Sequence, residues 1–217
     1  MSSSEEGEEK NPTEDIPSTE DLYTLHKTNW LNDEIVNFYL NMVKARSNEN
    51  ENLPNVYAFN SYFYERLQTK GYDGMRKYFR REAKEFDLFN FDMIFVPIHY
   101  KFPVGHEHWA LALIDLKKRG AYYYDSLRRD NSKILENLLN YLESVHMDKK
   151  KAPFDTSDFT NENVKDIPTQ ENGYDCGIFM LKYAEYLSRN ASITFTQKDM
   201  PQFSKRMVYE IVQNNII

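Results

Sequence analysis

Three short apolar runs limit what this chain can fold into. Met93-Ile-Phe-Val-Pro-Ile98, Trp109-Ala-Leu-Ala-Leu-Ile114 and Ala121-Tyr-Tyr-Tyr124 lie near the middle of the 217 residues. The second run is apolar at both parities. Alternation would mark a strand with one wet face, whereas a continuous run marks a strand covered on both sides. Lys118-Arg-Gly120 supplies a turn, so the second and third runs are expected to pair as an antiparallel hairpin. The first run reads as a strand with Pro97 at its end or at an edge, because proline has no N–H to give a ladder. Such a sheet needs helices on both faces, and helical patterns flank it. Asn32-Asp33 can cap a helix reaching about Ala45, with Ile35, Tyr39, Met42 and Val43 on one face, and Ser47 to Asn52 form a polar loop. Further helical patterns fall at 60–69 and 74–84, split by Gly71 and Gly74, and at 131–146, 176–189 and 204–213. The expected class is α+β, a small central sheet flanked by helices.

Charge divides the chain unequally. The formal net charge is −7, yet residues 1–21 hold eight acidic residues against one base, Lys10, so the remainder is balanced. A Ser/Glu/Pro-rich leader with no aromatic residue before Tyr23 cannot offset its ordering entropy by burial, so 1–21 is expected to be disordered and 22–217 to be one domain. A neutral domain gives no electrostatic reason to expect nucleic acid. The basic runs Lys117-Lys-Arg119 and Lys149-Lys-Lys151 are short and lack interleaved aromatics, so they read as solvated turns. No signal peptide and no long apolar stretch is apparent, and a soluble, reducing setting without membrane insertion is expected.

The single cysteine, Cys176, excludes an intramolecular disulfide, a Cys-x-x-Cys pair and a multi-thiolate zinc site. By residue type alone a lone cysteine is most often an inert small hydrophobe. Its place argues otherwise. The run Gln170-Glu-Asn-Gly-Tyr-Asp-Cys-Gly-Ile-Phe-Met-Leu puts it where a polar turn enters a helix, and the first turn of a helix favours thiolate.

A nucleophilic thiol needs a base. Among five histidines, His26 and His146 read as ordinary polar residues and His99 follows a strand. His106 and His108 precede the buried strand, and His108, closest to it, is the best-held candidate. No carboxylate motif at helical spacing accompanies this pair, so a zincin-type metal site is not expected. In an antiparallel hairpin the start of one strand meets the end of the next, which makes Asp125 the neighbour of His108 and sends Asp115 to the far end. An aspartate at a strand end is otherwise a turn former. The Cys176 N–H and the Gln170 side-chain amide are candidate donors to an oxyanion.

His108-Trp109, Tyr124-Asp125-Ser126 and Gln170…Asp175-Cys176-Gly177 occur in the order of a known family. The sequence resembles the catalytic domain of the SUMO-specific cysteine proteases, the Ulp/SENP group. Asn29-Trp-Leu-Asn-Asp-Glu-Ile-Val-Asn-Phe-Tyr39, Ala58-Phe-Asn-Ser-Tyr-Phe63, Val96-Pro-Ile-His99 and Phe195-Thr-Gln-Lys-Asp-Met-Pro201 are similar to family segments as well. The likeness covers residues 22–217, about nine-tenths of the chain. It implies a papain-like fold and a His108–Asp125–Cys176 triad, with Gln170 at the oxyanion hole and no metal or organic cofactor. It further implies hydrolysis after the Gly-Gly terminus of SUMO, in precursors and in lysine conjugates. SUMO and SUMO-conjugated proteins are the implied partners, a monomer is expected, and the implied compartment is the nucleus, the nuclear envelope or the cytoplasm. Trp30 and Trp109 match positions that cover the Gly-Gly channel, and two flat walls would admit only residues without a Cβ. Asp33 matches a position that contacts the modifier, although an N-cap role would explain it equally. One departure is the connection between His99 and His108, longer here than is usual in the family. The alternatives are a deneddylase of the same fold, a non-catalytic module binding a ubiquitin-like protein, and an acyltransferase using the same thiol chemistry.

Overall fold

The β3–β4 hairpin organises the molecule. The structure, a computed structural model, describes residues 16–79, 86–101 and 107–217, without the side chains of 77–79 and 101. β2 (Met93–Lys101), β3 (Glu107–Asp115) and β4 (Gly120–Tyr124) pair antiparallel in sequence. Two strands not foreseen in the sequence, β1 (Val56–Ala58) and β5 (Thr160–Asn163), add in parallel at either edge, giving a five-stranded mixed sheet in the order β1-β2-β3-β4-β5. β1 has three residues and β5 reads Thr-Asn-Glu-Asn, so neither carries a periodic apolar signal.

Pro97 lies inside β2, not at its end. β1 reaches only Phe95, whose carbonyl accepts from Phe59 N–H at 2.9 Å. Alternation therefore turns the Pro97 nitrogen to the side where β1 has ended, and no ladder bond is lost.

The apolar runs bury both faces of the sheet, as their continuity requires. Met93, Phe95, Trp109, Leu111, Leu113 and Tyr124 join a core with α2 (Asp33–Asn48), α5 (Cys176–Ser188) and α6 (Met200–Gln213). Ile94, Val96, Ile98, Ala110, Ala112 and Tyr123 face α3 (Phe63–Phe79) and α4 (Ser132–Lys150). Along β3, Trp109, Leu111 and Leu113 face α5, whereas Ala110, Ala112 and Ile114 face α4. This lets α5, and the thiol at its start, be fixed by tryptophan and leucine side chains on the strand.

Several boundaries differ from the sequence expectation. Part of the expected leader is helical: Ser18 and Asp21 form a capping box that starts α1 (Thr19–Tyr23), a local signal the acidic composition hid. Residues 1–15 of that leader lie outside the described residues. The patterns at 60–69 and 74–84 join in one kinked helix, α3, where Gly71 takes φ 61°, a conformation only glycine adopts without strain. Residues 80–84 are again outside the described residues. α2 runs three residues past Ala45 into the expected loop, and α6 starts at Met200 because Pro201 suits a first helical turn. The basic runs sit at a turn and a helix end: Lys117 pairs with Asp92 at 3.0 Å, and Lys149 reaches the Phe86 carbonyl at 2.5 Å. No helix among the described residues is long and apolar enough to cross a membrane.

Candidate active site

The ladder between β3 and β4 ends at the pair Leu111 and Tyr124. His108 lies three residues before that pair and Asp125 one residue after it, so both project from the same end of the hairpin. They meet there: His108 Nε2 is 2.7 Å from Asp125 Oδ1, with the two side chains 3% and 1% exposed. The same Asp125 oxygen accepts Leu127 N–H at 2.8 Å, and the Asp125 carbonyl accepts Arg128 N–H at 2.8 Å. The turn-former and the imidazole partner are therefore one residue. Asp125 Oδ2 is buried with no hydrogen-bond partner among the described residues. Asp115, at the far end, accepts Lys118 N–H at 2.8 Å and only shapes its turn.

Cys176 is the first residue of α5, after Asp175 as N-cap, and is 1% exposed. At this position its N–H has no acceptor within the helix, and the peptide dipole favours negative charge on sulfur. The Cys176 side chain is close enough to the His108 imidazole to perturb it. With Nε2 on Asp125, Nδ1 is the nitrogen left for sulfur. Burial opposes a charge on His108, but the bonds and charges of Asp125 and Cys176 outweigh it and raise the imidazole from 6.5 to about 9.

Gln170 is tied to Ser126, the residue after Asp125, and is held at both ends of its amide. Ser126 Oγ–H donates to Gln170 Oε1 at 2.6 Å, and Gln170 Nε2 donates to the Asn172 carbonyl at 2.6 Å. The loop from Gln170 to Cys176 is clamped by residues that carry no distinctive signal in the sequence. Asn172 Oδ1 accepts the N–H groups of Tyr174 and Asp175, and Asp175 Oδ2 accepts from Asn172 Nδ2 at 2.7 Å and Gln197 Nε2 at 2.6 Å. Gln197 Oε1 takes Glu171 N–H at 2.8 Å. Gln197 lies in the family-like segment 195–201, which was the only hint available.

The two tryptophans differ. Trp109 is buried, donates Nε1–H to the Leu31 carbonyl at 2.9 Å and stacks on His99 at 3.9 Å between ring centres. Trp30 is half-buried and donates to the Gly173 carbonyl at 2.8 Å, bridging the start of the chain to the cysteine loop. It lines a cleft of about 530 Å³ with Thr28, Asn29, Leu31, Asn32 and Glu107. Gly177 presses on this wall, since a Cβ there would lie 2.9 Å from Leu31 Cβ. Asp33 is not the cap of α2. Asn32 is, accepting Ile35 N–H at 3.1 Å, because the residue before the first helical one is best placed to reach back. Asp33 is half-buried.

The other described histidines have partners of their own. His26 stacks on Tyr23, and His146 Nδ1 bonds the Ala152 carbonyl at 2.8 Å. His99 Nε2 meets Glu107 Oε2 at 3.1 Å. His106 and residues 102–105 of the extended connection lie outside the described residues. Among the described residues no group of three or more His, Cys, Asp or Glu side chains could hold a metal ion.

A buried thiol at a helix start, beside an imidazole that is bonded to a carboxylate, is the arrangement of a cysteine protease. Residues 29–216 match the Ulp1 protease family, C-terminal catalytic domain, and the chain belongs to that family. It is 42% identical over 197 residues to a sentrin-specific protease of Caenorhabditis elegans, covering 91% of this chain and 27% of that protein. It is 39% identical over 199 residues to sentrin-specific protease 2 of Homo sapiens, covering 91% of this chain and 32% of that one. The chain thus spans about a third or less of these relatives. Among solved structures, SUMO protease Ulp1 with its catalytic cysteine oxidised to a sulfinic acid superposes with a TM-score of 0.76 at 34% identity, covering 93% of this chain and 86% of that one. The Ulp1 protease domain in complex with Smt3, the yeast ortholog of SUMO, gives 0.72 at 33% identity, covering 90% and 82%.

Proposed function

We propose that the chain is the catalytic domain of a SUMO protease that hydrolyses the bond after the C-terminal Gly-Gly of SUMO, in conjugates and in precursors. The observation that carries this is the Cys176–His108–Asp125 chain of contacts at the start of α5, in a fold shared with the Smt3-bound Ulp1 domain.

The Cys176 thiolate attacks the glycine carbonyl carbon and its electron pair moves to oxygen. The Cys176 N–H and the Gln170 amide receive that oxyanion. The intermediate collapses as the lysine ε-amine leaves with the proton from His108. A water molecule, deprotonated by the now neutral His108, then hydrolyses the thioester. Asp125 fixes the ring so that Nδ1 faces sulfur and stabilises the imidazolium. Trp30 and Trp109 wall the Gly-Gly channel, and Asp33, released from capping by Asn32, offers a carboxylate at the rim to a basic group of the modifier. A monomer is sufficient, because every residue of this proposal lies in one chain. The nucleus is the compartment the family resemblance favours.

The test is cleavage of a panel of modifier precursors and C-terminal amides by the wild type and by Cys176→Ser. Turnover of SUMO substrates is expected, with loss to background in the variant while SUMO binding persists. Preferential turnover of a Nedd-type substrate would replace the SUMO assignment. Undiminished turnover by Cys176→Ser would remove the thiol mechanism.

A further inference from the structure

We infer that Ser126 is a positioning residue for Gln170, so that a single turn after β4 aligns both the base and the oxyanion donor. The inference rests on the proposed role of Gln170. A glutamine amide serves an oxyanion only if its NH2 end, not its carbonyl end, faces the reacting carbonyl, and a free carboxamide is indifferent between the two. Here the sense is fixed from both ends. The Asn172 carbonyl can only accept, so it selects the nitrogen, and it uses one of the two amide protons. The Ser126 hydroxyl donates to the opposite atom, Oε1, at 2.6 Å. That bond is buried, with Ser126 1% and Gln170 8% exposed, where a hydrogen bond is stronger than in water and polarises the group that accepts it. Drawing charge toward Oε1 makes the second amide proton a better donor.

The main chain adds a second tether, since Gln170 N–H donates to the Ser126 carbonyl at 3.1 Å. Ser126 follows Asp125, whose Oδ1 holds both His108 and the Leu127 N–H. One rigid turn therefore sets the spacing between base and oxyanion donor, two parts that are 62 residues apart in the chain. Removing the hydroxyl leaves the backbone tether but strands Oε1 in a buried site and frees the amide to rotate.

The experiment is steady-state kinetics on a SUMO C-terminal amide with Ser126→Ala, Gln170→Ala and the double variant, together with the rate of Cys176 alkylation against pH. Gln170→Ala is expected to lower kcat about a hundredfold, the scale of one oxyanion donor. Ser126→Ala is expected to lower kcat about tenfold with KM held, and to cost nothing further in the Gln170→Ala background. Alkylation needs no oxyanion donor, so its pH profile should not move. Equal-sized Ser126→Thr and Ser126→Val provide a second pair should the alanine variant fold poorly, and the hydroxyl-bearing threonine should be the faster. Full activity in Ser126→Ala beside an impaired Gln170→Ala overturns the inference alone, as does a tenfold loss that persists in the double variant or equal rates for threonine and valine. Full activity in Gln170→Ala overturns the role of Gln170 itself and takes the Ser126 inference with it.

Discussion

The β3–β4 hairpin has a buried aspartate at each end, and their difference shows how a site is made from ordinary parts. Asp115 and Asp125 are both almost inaccessible, and each accepts a backbone N–H from its own turn, Lys118 in one case and Leu127 in the other. Asp115 adds only a loose ion pair with Lys118 at 3.6 Å. Asp125 adds His108 at 2.7 Å, through an oxygen already in use, while its second oxygen has no partner among the described residues. The residue type and the local turn chemistry are therefore the same. What differs is what the neighbouring strand and α5 bring to that end. Each end also has a glycine under pressure: Gly120 faces the Tyr122 ring, and Gly177 faces Leu31 close to its backbone.

The largest expected contrast comes from replacing each aspartate in turn. Asp125→Asn should lower kcat/KM about a hundredfold or more, because the imidazole loses its orienting charge, while an amide oxygen can still accept the Leu127 N–H. Kinetics beside thermal melts check this, and equal losses in Asp115→Asn would dissolve the distinction. The pH response should separate the ends next. His108 is raised in the fold to about 9, so its protonated form contributes stability fully below 6.5 and loses it as pH rises through about 9. Activity that depends on the ion pair should decline over the same alkaline range. In Asp125→Asn that limb should move to lower pH, and in Asp115→Asn it should stay, as read from the pH dependence of kcat/KM.

Smaller effects should follow packing. Gly177→Ala forces Leu31 away from the loop held by Trp30, and a cost of about 1–3 kcal/mol with a fall in kcat/KM is expected. Gly120→Ala meets a half-buried tyrosine ring that can swing outward, so chemical denaturation should register less than that and turnover should be unchanged. Asp115→Asn should be the mildest, within about 1 kcal/mol of wild type and with turnover unaltered.

Much of this was legible from local rules. Continuous apolar runs announced a sheet covered on both faces, and the turn at Lys118-Arg-Gly120 fixed which ends meet. That was enough to pair His108 with Asp125 and to exclude Asp115. The weakest signals were the shortest elements. β5 has no apolar periodicity, and α1 hides within an acidic stretch that only its capping box distinguishes. Asn172, Gln197 and Ser126 could not be singled out, because a loop amide or hydroxyl is normally solvated and nothing in its neighbours says what it will touch.

By itself the sequence determined the α+β class, the placement of the thiol at a helix start and the candidates around it, because these depend on residue type, periodicity and hairpin register. Only the tertiary structure decided that Asn32 and not Asp33 caps α2, that Trp109 is buried against His99 while Trp30 reaches Gly173, and that Ser126 meets Gln170. Those contacts join residues brought together by the packing of α2 and α5 against β3, and the geometry of a polar side chain in a buried loop is set by whatever that packing leaves beside it.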